Sequence, residues 1–175
     1  MTIKSIFLDR DGVINKEINY LHKIEDFEFI DGVFEVCNYL QSLKYQLIIV
    51  TNQSGISRQF YTENDYQIIT KWMINQFKKN DIKIFDVFHC PHGPNSNCTC
   101  RKPKPGMFID AQIKHNIDMQ NSWMIGDKEI DITSANSAGI SNTILLRSGR
   151  KTGEFKSNAK YILDSIRQAS QVIKN

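Results

Sequence analysis

The sequence predicts an α/β domain built on a doubly wound, Rossmann-like parallel sheet, and three observations carry that prediction. Short, fully apolar runs recur along the chain and each stops at a polar, turn-prone segment, as strands covered on both faces do. Between them lie segments whose apolar residues recur three and four apart, so strand-like and helix-like stretches alternate. Acidic and hydroxyl residues gather where the apolar runs stop, which in such a sheet is where ligands bind.

The elements follow in order. Ser5-Ile6-Phe7-Leu8 is the first strand and ends at Asp9-Arg10-Asp11-Gly12. Val33, Val36, Cys37, Leu40 and Leu43 mark one face of a helix, and Leu47-Ile48-Ile49-Val50 is the second strand, stopping at Thr51-Asn52-Gln53-Ser54-Gly55. Thr62 is a fitting N-cap for a helix with the apolar stripe Tyr66, Ile69, Met73 and Phe77. Phe85-Asp86-Val87-Phe88 stops at His89-Cys90-Pro91, Trp123-Met124-Ile125 at Gly126-Asp127-Lys128, and Thr143-Ile144-Leu145-Leu146 at Arg147-Ser148-Gly149. Helices are expected over Met107 to His115 and Ile130 to Ala138, the second closed by Gly139. Tyr161-Ile162-Leu163 reads as an edge strand, with a weakly amphipathic helix running on through Ile166 and Ile173. No repeat, low-complexity tract or linker divides residues 1–175, so a single domain is expected.

Composition narrows the classes. At 175 residues and 41% hydrophobic, the chain is long enough for one core, and 9 Gly, 4 Pro and 4 Cys exclude collagen-like, disordered and disulfide-scaffold readings. A net charge of +3 with signs mixed along the chain makes no case for nucleic acid. No apolar stretch is long enough for a membrane span, and no signal-type segment opens the chain. The expectation is a cytoplasmic protein whose cysteines are reduced thiols or metal ligands. No large apolar stripe falls outside the expected core, which points to a monomer.

Asp9 and Asp11 lie two apart at the end of the first strand, and Asp127 ends another. Carboxylates brought that close repel unless a cation holds them, and an oxygen-rich shell of this kind suits magnesium. One aspartate can then attack phosphorus while the other moves protons. Thr51 and Asn52 can donate to phosphoryl oxygens, and a lysine, Lys102 or Lys104, can offset the charge that spreads there in the transition state. Plainer roles exist for each: Gly12 serves any turn, Arg10 can brace its loop, and Asp131 can cap a helix as readily as it can ligate a metal.

Four strings, Asp9-Arg10-Asp11-Gly12-Val13-Ile14-Asn15, Thr51-Asn52-Gln53-Ser54-Gly55-Ile56, Arg101-Lys102-Pro103 and Gly126-Asp127-Lys128-Glu129-Ile130-Asp131, resemble in order and spacing the motifs of the haloacid dehalogenase superfamily. The likeness is greatest to its branch of D-glycero-D-manno-heptose 1,7-bisphosphate 7-phosphatases and histidinol phosphatases, and covers roughly residues 5 to 149. It implies a nucleophile at Asp9 that forms an aspartyl-phosphate, a general acid and base at Asp11, and phosphoryl stabilisation by Thr51 and Lys102. It further implies magnesium held by Asp9, the backbone carbonyl of Asp11 and Asp127, with Arg101 recognising substrate and Lys128 lining the site.

Cys90-Pro91-His92 and Cys98-Thr99-Cys100 enclose a turn-rich segment with no apolar residue to pack, and three thiolates and an imidazole at this spacing can close a tetrahedral zinc site. His89 is the competing imidazole, but alternation puts it at a strand end and favours His92. The resemblance assigns a structural zinc to Cys90, His92, Cys98 and Cys100. That loop runs straight into Arg101 and Lys102, so its expected role is to fix those cations. With four protein ligands no position is left for a catalytic water.

The expected elements and zinc loop fill the chain, leaving no room for a cap domain, so rim loops must select the substrate. Residues 15–31 are expected to form a flap, with Asn19 and Tyr20 as sugar contacts or with Tyr20 and Phe29 simply packing the loop, while Ser54, Gly55 and Arg58 edge the other side. Arg58, Arg101 and Lys128 suit a small, doubly anionic, hydroxyl-rich substrate such as a heptose bisphosphate of envelope lipopolysaccharide synthesis. Histidinol phosphate is the alternative with the same chemistry. A zinc-stabilised binding module with a vestigial acidic site is the alternative of a different class.

Overall fold

The computed structural model of the chain describes residues 2–147 and 156–174; Ser148 and Gly149, part of the polar stop expected after the fifth apolar run, lie outside them. Among the described residues the order is β1 (Ser5–Leu8), α1 (Val33–Ser42), β2 (Gln46–Asn52), α2 (Glu63–Lys79), β3 (Ile84–Cys90), α3 (Gly106–His115), β4 (Trp123–Gly126), α4 (Glu129–Ser137), β5 (Asn142–Leu146), β6 (Tyr161–Leu163) and α5 (Ala169–Val172). Short 3-10 turns occupy Ile24–Asp26 and Ile166–Gln168. The strands pair in parallel in the order β3-β2-β1-β4-β5-β6. The chain winds outward from β1 to β3, crosses back to β4 beside β1, and winds outward the other way. The switch point of the sheet therefore lies between β1 and β4, where a crevice opens at the strands' carboxyl ends.

Alternation along the strands explains why their sequences are apolar throughout. Ile6, Leu8, Leu47 and Ile49 pack with Val36 and Leu40 of α1, Met73 and Phe77 of α2, and Ile166 near the C-terminus. Phe7, Ile48, Val50 and Met124 face the opposite layer of α3 and α4, where the rings of Phe7 and Phe108 lie 4.9 Å apart. A sheet covered on both faces has no position that favours a polar side chain. The helix starts and stops also follow local chemistry. Thr62 and Asp65 form a reciprocal capping box at the start of α2, and Gly139, at φ +90°, turns the chain out of α4.

Two features depart from the sequence expectation. β2 continues through Thr51 and Asn52 and β3 through His89 and Cys90, pairing Thr51 with His89 and Asn52 with Cys90. Polar residues extend β2 because their side chains are satisfied in place: the Thr51 hydroxyl accepts from Gln53, and Asn52 brackets the backbone of Lys102. The C-terminal stretch, expected as one helix, is a 3-10 turn followed by the four-residue α5. Ile166, Ala169 and Ile173 are nonetheless buried, and Tyr39 of α1 donates to the Ile173 carbonyl at 2.9 Å.

Candidate active site

Asp9 leaves β1 at the switch point, its backbone N–H donating to Ile125 of β4 at 3.1 Å. Its carboxylate lies 2.9 Å from the ammonium of Lys102, which also reaches Asp131 at 2.7 Å and donates to the Val50 carbonyl at 2.8 Å. Asp9, Asp127 and Asp131 each offer one carboxylate oxygen, all within 4.8 Å of one another and all buried. Burial pushes the Asp9 carboxyl up to about 8; Lys102 opposes this, while Asp131, Asp127 and Asp11 add to it. Lys102 is held above its ordinary range, because Asp131 and Asp9 outweigh the effect of its burial. Two buried carboxylates on one buried ammonium, with the third carboxylate of Asp127 beside them, form an oxygen-rich cluster of the kind that suits a divalent cation. Lys104, the other lysine considered from sequence, reaches the Cys98 carbonyl instead.

Asp131 fills the capping role considered for it and pairs with the lysine besides. Its Oδ2 accepts from the backbone N–H groups of Asp127 and Lys128, fixing the β4–α4 turn, while its Oδ1 faces Lys102. The sequence reading left it out of the ligand set. Gly12 sits at φ +92°, and a Cβ there would lie 2.3 Å from Oδ2 of Asp127. Only glycine lets the loop after β1 pass that carboxylate.

Asp11 is held from several sides. Arg10, 1% exposed, donates from Nη2 to both carboxylate oxygens at 2.9 and 3.0 Å and from Nε at 3.2 Å, and ties the loop to the Leu21 carbonyl. Arg10 is thus the brace expected of it. Asn15 donates to Oδ1 at 3.0 Å and Gln53 to Oδ2 at 3.1 Å. Asn15, Gln53 and Tyr61 were not singled out from sequence as site residues. The available signal was that Gln53 lies two residues after Thr51, on the same side of an extended chain.

A cleft of about 200 Å3 opens over these groups. Asn19, Tyr20, Asn52, Ser54, Arg101 and Lys128 all line it. Thr51 is buried below, its hydroxyl 2.9 Å from the Gln53 amide. The Asn52 amide spends its oxygen and one donor on the N–H and carbonyl of Lys102, so it clamps the lysine's backbone. The Tyr20 hydroxyl accepts from Arg58 at 2.8 Å, and its ring packs on Phe60 at 4.5 Å. Lys128 pairs with Glu17 of the flap.

Cys90, His92, Cys98 and Cys100 converge at the end of β3. Sγ of Cys90 lies 3.8 Å from that of Cys98 and 3.1 Å from that of Cys100, and Nδ1 of His92 is 3.5 and 3.3 Å from Cys90 and Cys100. A tetrahedral zinc with ordinary bond lengths has edges of about 3.8 Å between sulfurs and about 3.5 Å from sulfur to nitrogen, so the donor set fits once the Cys90–Cys100 pair, at 3.1 Å, opens toward that edge. His89 stands apart, pairing with Glu63 and packing on Tyr66 of α2. Arg101 donates to the His92 carbonyl at 3.0 Å, which ties the loop to the cleft. Cys37 is a buried core residue of α1.

Comparison with known proteins gives consistent findings. The Hydrolase_like family, described as HAD-hydrolase-like, matches residues 99–169. The chain is 46% identical over 164 residues to the D-glycero-alpha-D-manno-heptose-1,7-bisphosphate 7-phosphatase of Photorhabdus laumondii, covering 90% of each. It is 44% identical over 175 residues to the D-glycero-beta-D-manno-heptose-1,7-bisphosphate 7-phosphatase of Vibrio cholerae, covering 95% of this chain and 94% of that one. Its fold matches the crystal structure of D,D-heptose 1,7-bisphosphate phosphatase from B. bronchiseptica, complexed with magnesium and phosphate, with a TM-score of 0.87, 27% identity and 97% of both chains covered.

Proposed function

Because the chain belongs to the haloacid-dehalogenase-like heptose 1,7-bisphosphate 7-phosphatases, we propose that it removes the 7-phosphate of D-glycero-D-manno-heptose 1,7-bisphosphate by way of an aspartyl-phosphate. The observation that carries this reading is the buried contact of Lys102 with Asp9 and Asp131 at the switch point, beside Asp127 and below a cleft floored by Asp11. A binding module has no use for so many buried charges.

In the proposed cycle a carboxylate oxygen of Asp9 attacks phosphorus. The bond from phosphorus to the sugar oxygen breaks, its electron pair stays on that oxygen, and Asp11 supplies the proton. Water then attacks the phosphorus of the aspartyl-phosphate, giving a proton to the Asp11 carboxylate, and inorganic phosphate leaves with Asp9 restored. The Thr51 hydroxyl and the Lys102 ammonium stabilise the equatorial oxygens. Asp9, the Asp11 carbonyl and Asp127, with Asp131 beside them, would hold magnesium, which would screen the charge between nucleophile and phosphate. Asn19, Tyr20, Asn52, Ser54, Arg101 and Lys128 recognise the substrate around the cleft. The fit of Cys90, His92, Cys98 and Cys100 to a tetrahedron supports a structural zinc.

The proposal extends to residues 1–175 acting as one domain, a cytoplasmic monomer with no nucleic-acid or membrane partner. The modest charge of +3 supports this, as does a cysteine set that works only when reduced. Among the described residues no helix is long and apolar enough to cross a membrane. The deciding experiment measures phosphate release with magnesium from both anomers of heptose 1,7-bisphosphate, fructose 1,6-bisphosphate and histidinol phosphate, with a chelator control. Preference for a heptose anomer is expected. Preference for histidinol phosphate would replace the substrate and keep the chemistry, and silence on all four would refute the phosphatase reading.

A further inference from the structure

We propose that Gln53, oriented by Tyr61, is a positioning residue that sets both Asp11 and Thr51 for phosphoryl transfer. The inference rests on the phosphatase reading and adds to it two residues that act through the groups in contact with the substrate.

Gln53 follows β2, is 2% exposed, and is anchored by its backbone N–H donating to the Cys90 carbonyl at 2.7 Å. Each polar atom of its side chain has a partner. Nε2 donates to Oδ2 of Asp11 at 3.1 Å and to the Thr51 hydroxyl at 2.9 Å, while Oε1 accepts from the Tyr61 hydroxyl at 2.5 Å. An amide can usually be turned over without geometric penalty, but here its neighbours forbid it. A carboxylate only accepts, and burial pushes the Tyr61 phenol up to about 12, so that it keeps its hydrogen and donates. Turned over, the amide would set its oxygen against the Asp11 carboxylate, which has no hydrogen to give it. The Asp11 carboxylate therefore decides which face the amide shows to the site, and the hydrogen bond from Tyr61 to the amide oxygen holds it there. That phenol is itself fixed: its ring lies so close to Gly55 that a Cβ there would be 2.1 Å from it, and it stacks on His22 at 5.2 Å.

Two consequences follow for the chemistry. Gln53 is the tie that reaches Asp11 from the β2 side, whereas Arg10 and Asn15 reach it from its own loop. The Thr51 oxygen, by accepting from Gln53, keeps its own hydrogen for another acceptor, which in the proposed reaction is a phosphoryl oxygen. If Gln53 merely satisfied buried atoms, its loss would lower stability and slow every substrate alike.

The test compares two phosphate donors under single-turnover conditions in the variants Tyr61→Phe and Gln53→Met. A heptose bisphosphate has an alcohol leaving group that needs a proton from Asp11, whereas p-nitrophenyl phosphate releases a stable anion that does not. Misplacing Thr51 slows both donors, while misplacing Asp11 slows only the first. The expected result is that the sugar-to-nitrophenyl rate ratio falls about tenfold in each variant, a share of the roughly 10²–10⁴-fold that a positioned acid contributes. In an Asp11→Asn background, Tyr61→Phe should then leave the ratio unchanged. Partial unfolding lowers both rates together and does not imitate this shift. A wild-type ratio in both variants overturns the proposal and leaves the phosphatase reading standing, while a wild-type enzyme unable to transfer phosphate from either donor overturns both.

Discussion

Replacing Lys102 with methionine tests the electrostatic core of the site. The side chain is 2% exposed, and its ammonium has three oxygen partners: Asp131 at 2.7 Å, Asp9 at 2.9 Å and the Val50 carbonyl at 2.8 Å. Methionine keeps most of the volume and removes the charge, which leaves Asp9 and Asp131 buried without that counter-ion. Removing one partner of a buried pair typically costs about 3–5 kcal/mol, a large share of the roughly 5–15 kcal/mol that holds a domain folded. Adding Asp131→Asn removes one of the stranded charges, so the double variant should recover about 1–2 kcal/mol relative to Lys102→Met alone. Urea denaturation in the presence of a chelator, on wild type, both single variants and the double, reads these differences directly. With magnesium restored, Lys102→Met should also slow phosphate release by about 10²–10³-fold, the usual worth of a charge aimed at a developing anion. A Lys102→Met protein within about 1 kcal/mol of wild type, or a double variant that merely adds the two single losses, would refute the idea that this lysine balances the carboxylates.

Three further outcomes are expected. Gly12→Ala forces a Cβ to 2.3 Å from Asp127 at φ +92°, so it should cost about 1–3 kcal/mol and nearly abolish phosphate release; an alanine variant with wild-type turnover would refute the close passage. Purified protein should contain zinc equimolar with the chain, and Cys98→Ser should lower both that content by elemental analysis and the melting temperature. Folded, fully active, zinc-free protein would contradict this. At Asp86 burial pushes the carboxyl up, but hydrogen bonds from Lys114, His115 and the Val87 N–H outweigh it and hold the group below its ordinary range. A carboxylate depressed in this way adds stability above its unfolded value of about 4, and that stability is lost as pH falls through the folded value. Asp86→Asn should therefore lower stability near neutral pH by no more than about 1 kcal/mol and have no effect in strong acid. A difference that persists undiminished to about pH 2, well below the ordinary carboxylate value, would show that the pair is not its source.

The sheet was readable because burial on both faces leaves its mark residue by residue: Ile6 and Leu8 are apolar because they meet one layer, and Phe7 because it meets the other. The acids at the strand ends were readable for the opposite reason, since Asp9, Asp11 and Asp127 have no role in a core. What the sequence hid was the burial of polar groups that stabilise one another. Thr51 and Asn52 look like the end of a strand, yet they stay in it because Gln53 and the Lys102 backbone supply their partners from elsewhere. Asp131 looked like a cap or a ligand, and the fold uses its two oxygens separately. Such assignments depend on which side chain crosses which in space, and no periodicity encodes that. The C-terminal stretch escaped in part for a related reason, because the burial of Ile166, Ala169 and Ile173 against α1 is satisfied without a continuous helix.

The placement of Lys102 links the two clusters that could hold a metal. The segment from Pro91 to Pro105 contains no helix or strand, yet it must hold an ammonium within 3 Å of two buried carboxylates. Its anchors are few. Asn52 clamps the lysine's backbone, Arg101 and Lys104 hold carbonyls of the loop, and the Cys90, His92, Cys98 and Cys100 group gathers its two ends. Cys90 belongs to the edge strand β3 and pairs with Asn52 of β2, so a metal bound there would join the loop to the strand beside Asn52. Ordering so many residues by backbone hydrogen bonds alone would cost about 1–2 kcal/mol apiece in lost conformational freedom, with no apolar side chain in residues 93–97 to offset it. A metal supplies that order at a single point. Under the proposed zinc assignment, the metal would be a condition for the lysine's geometry, and its removal is expected to appear first as lost turnover and only later as lost fold.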